Sequence, residues 1–125
     1  MLKRFYFSVA VLWTGIITAL SLVQFNDLPF KSVSSIDKIV HVFFHFVFTS
    51  LWFLYFEQTI NNKKYSKALL VSMVFSLFFG IFIEILQEFF TISRHADLFD
   101  VFANMTGLTL AATLIFCFHQ FKIKF

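Results

Sequence analysis

The sequence is poor in cysteine and in charge. Cys117 is the only cysteine among 125 residues, so no disulfide can form within the chain and no cysteine-based metal site is available. Charged residues make up 14% of the chain and hydrophobic residues 59%, against about a quarter and about a half in soluble domains. This leaves too little polar surface to cover a water-soluble globule. The composition therefore predicts one integral membrane domain, residues 1–125, with no room for a second.

The net charge of +3 does not indicate nucleic-acid binding. The basic residues lie in short clusters beside apolar segments, where they favour one membrane orientation and contact anionic lipid. The chain carries no motif that commits it to a metal or another cofactor, so we predict neither. The partner that this distribution predicts is membrane lipid.

Four apolar runs follow one another along the chain: Phe5–Phe25, Ile39–Phe56, Ala68–Phe90 and Val101–Phe118. Each has about 18 to 23 residues, enough for a helix to cross a hydrocarbon core of roughly 30 Å. Because backbone groups in lipid must be satisfied internally, these runs should be helices. The short connections force an up-down-up-down order, so the predicted fold is an all-α bundle of four transmembrane helices.

The distribution of Lys and Arg predicts the orientation of the bundle. Seven basic residues flank the N-terminus, the second loop and the C-terminus: Lys3, Arg4, Lys63, Lys64, Lys67, Lys122 and Lys124. The opposite face carries three: Lys31, Lys38 and Arg94. The positive-inside rule then predicts that both termini are cytoplasmic and that the first and third loops face outward.

Polar residues recur at helical spacing near the outward end of three of these helices. In the second helix, Asp37, His41 and His45 are four residues apart, which places them on one face. The third helix carries Gly80, Glu84, Gln87 and Glu88 at its outer end, and the fourth helix carries Asp100, Asn104 and Gly107. The three stripes reach about the same depth from the same side.

Hydrocarbon should not tolerate these side chains unless they find polar partners. An Asp or Lys at the centre of a membrane helix costs about 2.5–3.5 kcal/mol on insertion scales. A polar pocket that opens toward the outer leaflet is the simplest arrangement that satisfies all of them. Since the carboxylates outnumber Lys38 and Arg94, we expect either proton sharing in the pocket or a bound cation.

Each of these residues also has a purely structural interpretation. His41 and His45 could be core histidines that donate to an Asp or to a backbone carbonyl. Glu84 and Arg94 could form a structural ion pair, and Asp100 could cap the fourth helix, where a carboxylate accepts hydrogen bonds from free amides. Lys38 could extend to the lipid headgroups.

The spacing of the polar residues resembles that of the VanZ-like family. The resemblance rests on Asp37-Lys38-Ile39-Val40-His41, then Gly80…Glu84-x-x-Gln87, then Arg94-x-x-Asp97-x-x-Asp100-x-x-x-Asn104-x-x-Gly107. It implies a small multi-pass protein of the bacterial cytoplasmic membrane. The family is named for a protein associated with resistance to the glycopeptide antibiotic teicoplanin, and most members have no assigned activity.

Spacing and resemblance together predict a ligand-binding site. Its predicted residues are Asp37, Lys38, His41, His45, Glu84, Gln87, Arg94, Asp97, Asp100 and Asn104. In a binding module for a cell-envelope lipid or lipoglycopeptide, Lys38 and Arg94 would contact phosphate or carboxylate. The carboxylates and amides would bind amine or sugar groups.

Two other functions are open at this point. In a membrane-embedded hydrolase or transferase, His41 would be the general acid or base, with Glu84 or Asp97 to orient it and Arg94 to stabilise charge. A metal-dependent version would use His41, His45 and carboxylates. In a structural or assembly factor for envelope proteins, the same polar residues would only lock the bundle.

Overall fold

Four α-helices occupy most of the described chain. The computed structural model describes residues 1–22, 34–60, 65–91 and 97–124. Within them α1 spans Leu2–Leu22, α2 Ser34–Thr59, α3 Tyr65–Phe90 and α4 Leu98–Lys124, and these ranges contain no strand. All four are long and apolar enough to cross a membrane. The predicted all-α fold with four membrane-spanning helices is confirmed, and the cytoplasmic placement of the termini stays a prediction.

All four helices begin three to five residues before their apolar runs. The second begins at Ser34 and the fourth at Leu98, because acidic residues in the first turn interact favourably with the helix dipole. Asp97 is the N-cap of α4, since its Oδ1 accepts a hydrogen bond from the Phe99 amide at 2.9 Å. The capping role considered for Asp100 therefore belongs to Asp97. The predicted end of the first helix at Phe25 lies outside the described residues.

Contacts between helices identify the two ends of the bundle. At the first, here called the site end, α1 and α3 finish and α2 and α4 begin. There Gln87 of α3 donates from Nε2 to the Ser21 carbonyl of α1 at 2.9 Å. At the other, the terminal end, the His119 ring of α4 stacks on Tyr65 at the start of α3, with ring centroids 4.2 Å apart.

Aromatic and small residues pack the space between the helices. Phe48 of α2 is fully buried and stacks on Phe79 of α3, with a centroid distance of 4.6 Å. The Trp52 indole donates to Thr14 Oγ1 of α1 at 3.1 Å. The backbones of α2 and α4 approach closely at Gly107, where a Cβ would lie 2.3 Å from the Val42 carbonyl oxygen. Only glycine allows the two backbones to come so close.

Candidate functional site

Lys38 lies among three carboxylates at the site end. Its ammonium donates to Asp97 Oδ2 at 2.8 Å and to Asp100 Oδ1, and it lies 3.9 Å from Asp37 Oδ2. The Asp100 side chain is buried, while Lys38 and Asp97 are partly exposed. Lys38 therefore turns toward α4. The expectation that it reaches out to the headgroups is wrong, because the two carboxylates of α4 lie within range of its ammonium.

Asp97 joins three helices at once. Besides capping α4 and binding Lys38 of α2, it donates its backbone amide to Glu84 Oε2 of α3 at 3.1 Å. The hydrogen bond from Lys38 holds the pKa of the Asp97 carboxyl below its ordinary value of 3.8, and the bond from the Phe99 amide acts in the same direction. Asp97 therefore carries its negative charge well below neutral pH.

His41 lies beside this cluster and is buried. Its Nδ1 is 3.0 Å from Asn104 Oδ1, and since an amide oxygen can only accept, Nδ1 carries the proton. The other ring nitrogen, Nε2, faces Asp100 Oδ2 at 3.6 Å and Asp37 Oδ2 at 3.9 Å. Both distances exceed that of a hydrogen bond. In the neutral ring, Nε2 thus directs a lone pair toward two carboxylates.

Two buried polar atoms near this cluster have no hydrogen-bond partner among the described residues: Glu84 Oε1 and Asn104 Nδ2. Each side chain is at least 96% buried, since Glu84 is 4% exposed and Asn104 is 1% exposed. A buried polar group without a partner costs about 1–3 kcal/mol. Gly80 makes room there, because a Cβ on it would lie 2.8 Å from Asn104 Nδ2. The site therefore offers one acceptor and one donor to a polar group from outside.

Two other predicted site residues that the structure describes, His45 and Gln87, have partners outside the Lys38 cluster. His45 is one helical turn deeper than His41, where its Nδ1 is 2.9 Å from Ser76 Oγ, and it takes no part in the Lys38 cluster. Gln87 uses its amide to bind α1. Glu88, which continues the acidic stripe in the sequence, has an exposed side chain. Arg94, with its possible ion pair to Glu84, lies outside the described residues.

Sequence reasoning missed a second set of polar residues deeper in the bundle. Ser72 and Ser76 of α3 and Thr49 of α2 are fully buried, and Thr49 Oγ1 has no hydrogen-bond partner in the described chain. A signal for them exists in the sequence, since Ser72, Ser76, Gly80 and Glu84 are four residues apart. Thr49 likewise continues the stripe that contains His41 and His45. The polar face of α2 and α3 thus extends further than predicted.

A family model and a curated relative both match this chain. The model described as VanZ/LLP1 matches residues 3–119. The chain belongs to the VanZ/LLP1 family. It is also 31% identical over 88 residues to an uncharacterised protein of the fission yeast Schizosaccharomyces pombe, C11E3.10. The alignment covers 70% of this chain and 51% of that protein, so the chain spans about half the length of this relative. No solved structure matches.

Most of the described residues that carried the VanZ-like resemblance converge at the site end. Asp37, Lys38, His41, Asp100 and Asn104 are linked by the contacts described above, and Glu84 joins them through the backbone of the α4 cap. Four carboxyl groups in this cluster face one ammonium and one imidazole. Such a set can bind a cation or a hydrogen-bonding head group, and it can hold or transfer protons.

Proposed function

We propose that this VanZ/LLP1 protein binds a cell-envelope amphiphile at the outer leaflet, through a head group that bears an amine. One observation carries this proposal: Glu84 Oε1 and Asn104 Nδ2 are buried and lack partners within the described chain, and both side chains bond members of the cluster, Asp97 and His41. An amine attracted by the carboxylates would donate to Glu84. A neighbouring hydroxyl or phosphate oxygen would accept from Asn104.

The charge of the cluster favours a cationic group over a bare anion. Asp97 and Asp100 already bind the ammonium of Lys38, so Lys38 is committed to the protein and is a poor donor for a ligand phosphate. Glu84 and Asp37 add two further carboxyl groups close by. An ammonium group from a ligand would offset this excess and would replace the water lost on burial.

The surroundings of the cluster suit the apolar part of an amphiphile. At the site end the rings of Phe90, Phe99 and Phe102 are exposed, the first two by 70% or more. In a membrane these rings would contact acyl chains. The positive-inside prediction assigns the site end to the outer leaflet, where a lipid and an acylated glycopeptide are both within reach. The family's link to glycopeptide resistance agrees with the second source.

Native mass spectrometry can test whether the protein prefers a lipid whose head group bears an amine. The protein would be reconstituted with equal amounts of phosphatidylethanolamine, which has an amine, and phosphatidylglycerol, which has none, and then released from detergent. We expect retention of the amine-bearing lipid. Glu84→Gln should reduce it at least tenfold, because a hydrogen bond to a charged group contributes about 1.5–3 kcal/mol. Competition by teicoplanin would identify the acylated glycopeptide as a second ligand of the same site.

Thr49→Val is the matched control. Thr49 is also fully buried with an unpartnered oxygen, but it lies two helical turns deeper on α2 than His41. Its replacement should leave lipid retention unchanged. Equal retention of the two lipids, or equal loss in the Glu84 and Thr49 variants, would contradict the proposal.

A further inference from the structure

We infer that Asp37, His41 and Asp100 form a binding site for a divalent transition metal such as Zn²⁺. This site goes beyond the proposed head-group binding and does not depend on it. One donor atom from each residue lies within 4.8 Å of the other two. His41 and Asp100 are buried, and Asp37 is partly exposed. Two ligands are thus fixed inside the bundle and the third lies at its rim.

The separations suit shared coordination better than direct hydrogen bonding. His41 Nε2 is 3.6 Å from Asp100 Oδ2 and 3.9 Å from Asp37 Oδ2. Two donors that bind one tetrahedral Zn²⁺ at its usual bond lengths are about 3.4 Å apart. The two distances from His41 are close to this value, and the Asp37 and Asp100 donors, which lie within 4.8 Å of one another, would move together on binding. An imidazolium with either carboxylate would instead be expected near 2.8 Å.

Residues next to His41 and Asp100 hold these two ligands in the tautomer and orientation that metal binding requires. Asn104 Oδ1 accepts the Nδ1 proton of His41, which leaves the lone pair on Nε2 as in most metal-binding histidines. Lys38 binds Oδ1 of Asp100 and leaves Oδ2 directed at His41. Asn104 and Lys38 therefore already orient the His41 and Asp100 side chains as a bound metal would require.

The ion would also offset the excess negative charge of the cluster. Lys38 and one divalent ion would together offset three of the four carboxyl groups of Asp37, Glu84, Asp97 and Asp100. With three protein ligands the metal would keep one coordination position open. An oxygen of a ligand head group or a water molecule could take that position.

Metal binding can be measured without any lipid, so its outcome is separate from that of the proposed function. Purified tag-free protein in detergent would be dialysed against micromolar Zn²⁺ with excess Mg²⁺ and then submitted to elemental analysis. We expect about one Zn²⁺ per chain, as a three-ligand site holds one ion. His41→Gln and Asp37→Asn should each weaken binding at least tenfold. Asp37→Asn lies at the rim, so it tests the site even if the buried His41 variant fails to fold.

The matched control is His119→Gln. His119 Nε2 also lies 3.6 Å from a carboxylate, Glu57 Oε1, but that pair lacks a third ligand in the described chain. Its replacement should leave zinc binding unchanged. Substoichiometric zinc in the unaltered protein, or an equal loss in the His119 variant, would overturn the inference.

A second pair of variants tests the orientation of His41. Asn104→Asp keeps an acceptor for the Nδ1 proton and should retain zinc, whereas Asn104→Leu removes the acceptor and should lower affinity about 10–100-fold. The readout is the visible absorption of bound Co²⁺, which reports the coordination geometry directly. An unchanged Co²⁺ spectrum and affinity in Asn104→Leu would contradict the assignment of His41 as a ligand.

Discussion

Two carboxylate–imidazole pairs join α2 to α4, one at each end of the bundle, and both have a separation of 3.6 Å. At the site end, His41 and Asp100 are buried among further acids and a lysine. At the terminal end, the side chains of Glu57 and His119 are 34% and 20% exposed, and His119 stacks on Tyr65. The same pair of groups thus occurs in two environments. Burial and neighbours, and not the pair itself, make the site end a candidate functional site.

The largest expected effect comes from breaking the contact between α2 and α4 on which both pairs depend. Gly107→Ala would place a Cβ 2.3 Å from the backbone oxygen of Val42, and backbone atoms cannot move aside cheaply. We expect a loss of about 3 kcal/mol or more in the free energy of unfolding. The measurement is thermal unfolding in detergent, followed by the fluorescence of Trp13 and Trp52.

Gly15→Ala is the control for this prediction. A Cβ on Gly15 meets nothing within 4 Å, so alanine there should leave stability unchanged or raise it by up to about 1 kcal/mol. If both glycine variants unfold at the same temperature, the close contact of α2 and α4 does not hold the bundle together.

The next largest effect should be a difference in stability cost between substitutions at the two ends of the bundle. Asp100→Asn removes a buried partner of Lys38, and we expect it to cost about 1.5–3 kcal/mol. Glu57→Gln changes a partly exposed pair that water and salt screen, so it should cost less than about 1 kcal/mol. Unfolding of both variants at low and high salt would measure the difference. Equal costs would show that burial does not distinguish the pairs.

The smallest expected effect is a loss of stability at low pH, caused by protonation of Asp97. Because the pKa of Asp97 is lowered in the folded protein by Lys38, its ionised form stabilises the fold at pH values above the ordinary carboxyl range. This contribution is lost as pH falls through the lowered pKa, since the folded state must then take up the proton it resists. The melting temperature should therefore decline below about pH 4, with a shallower decline in Asp97→Asn. Parallel curves for the two proteins would contradict this assignment.

Much of the fold followed from the sequence because lipid imposes simple constraints. The lengths of the four apolar runs fixed the number of helices, and the four-residue spacing of Asp37 and His41 placed both on one face of α2. Periodicity also indicated that Glu84 and Asn104 face inward. These inferences need only helix geometry and the cost of burying polar groups.

Other features depend on how the helices are arranged around one another. Gln87 and Glu88 are equally good continuations of the stripe from Glu84, yet only Gln87 is buried, because α1 lies on its side of α3 and offers the Ser21 carbonyl. The partner of His45 was not predictable for a similar reason, since it depends on Ser76 of α3, which lies opposite it. Spacing along one helix does not specify what faces it.

The triple attachment of Asp97 fixes the register of α4 relative to the rest of the site. One residue inserted after Asp97 would turn the rest of α4 by about 100° and carry Asp100 and Asn104 away from Lys38 and His41. The number of residues from Asp97 to Asn104 therefore cannot change without separating the groups that form the site.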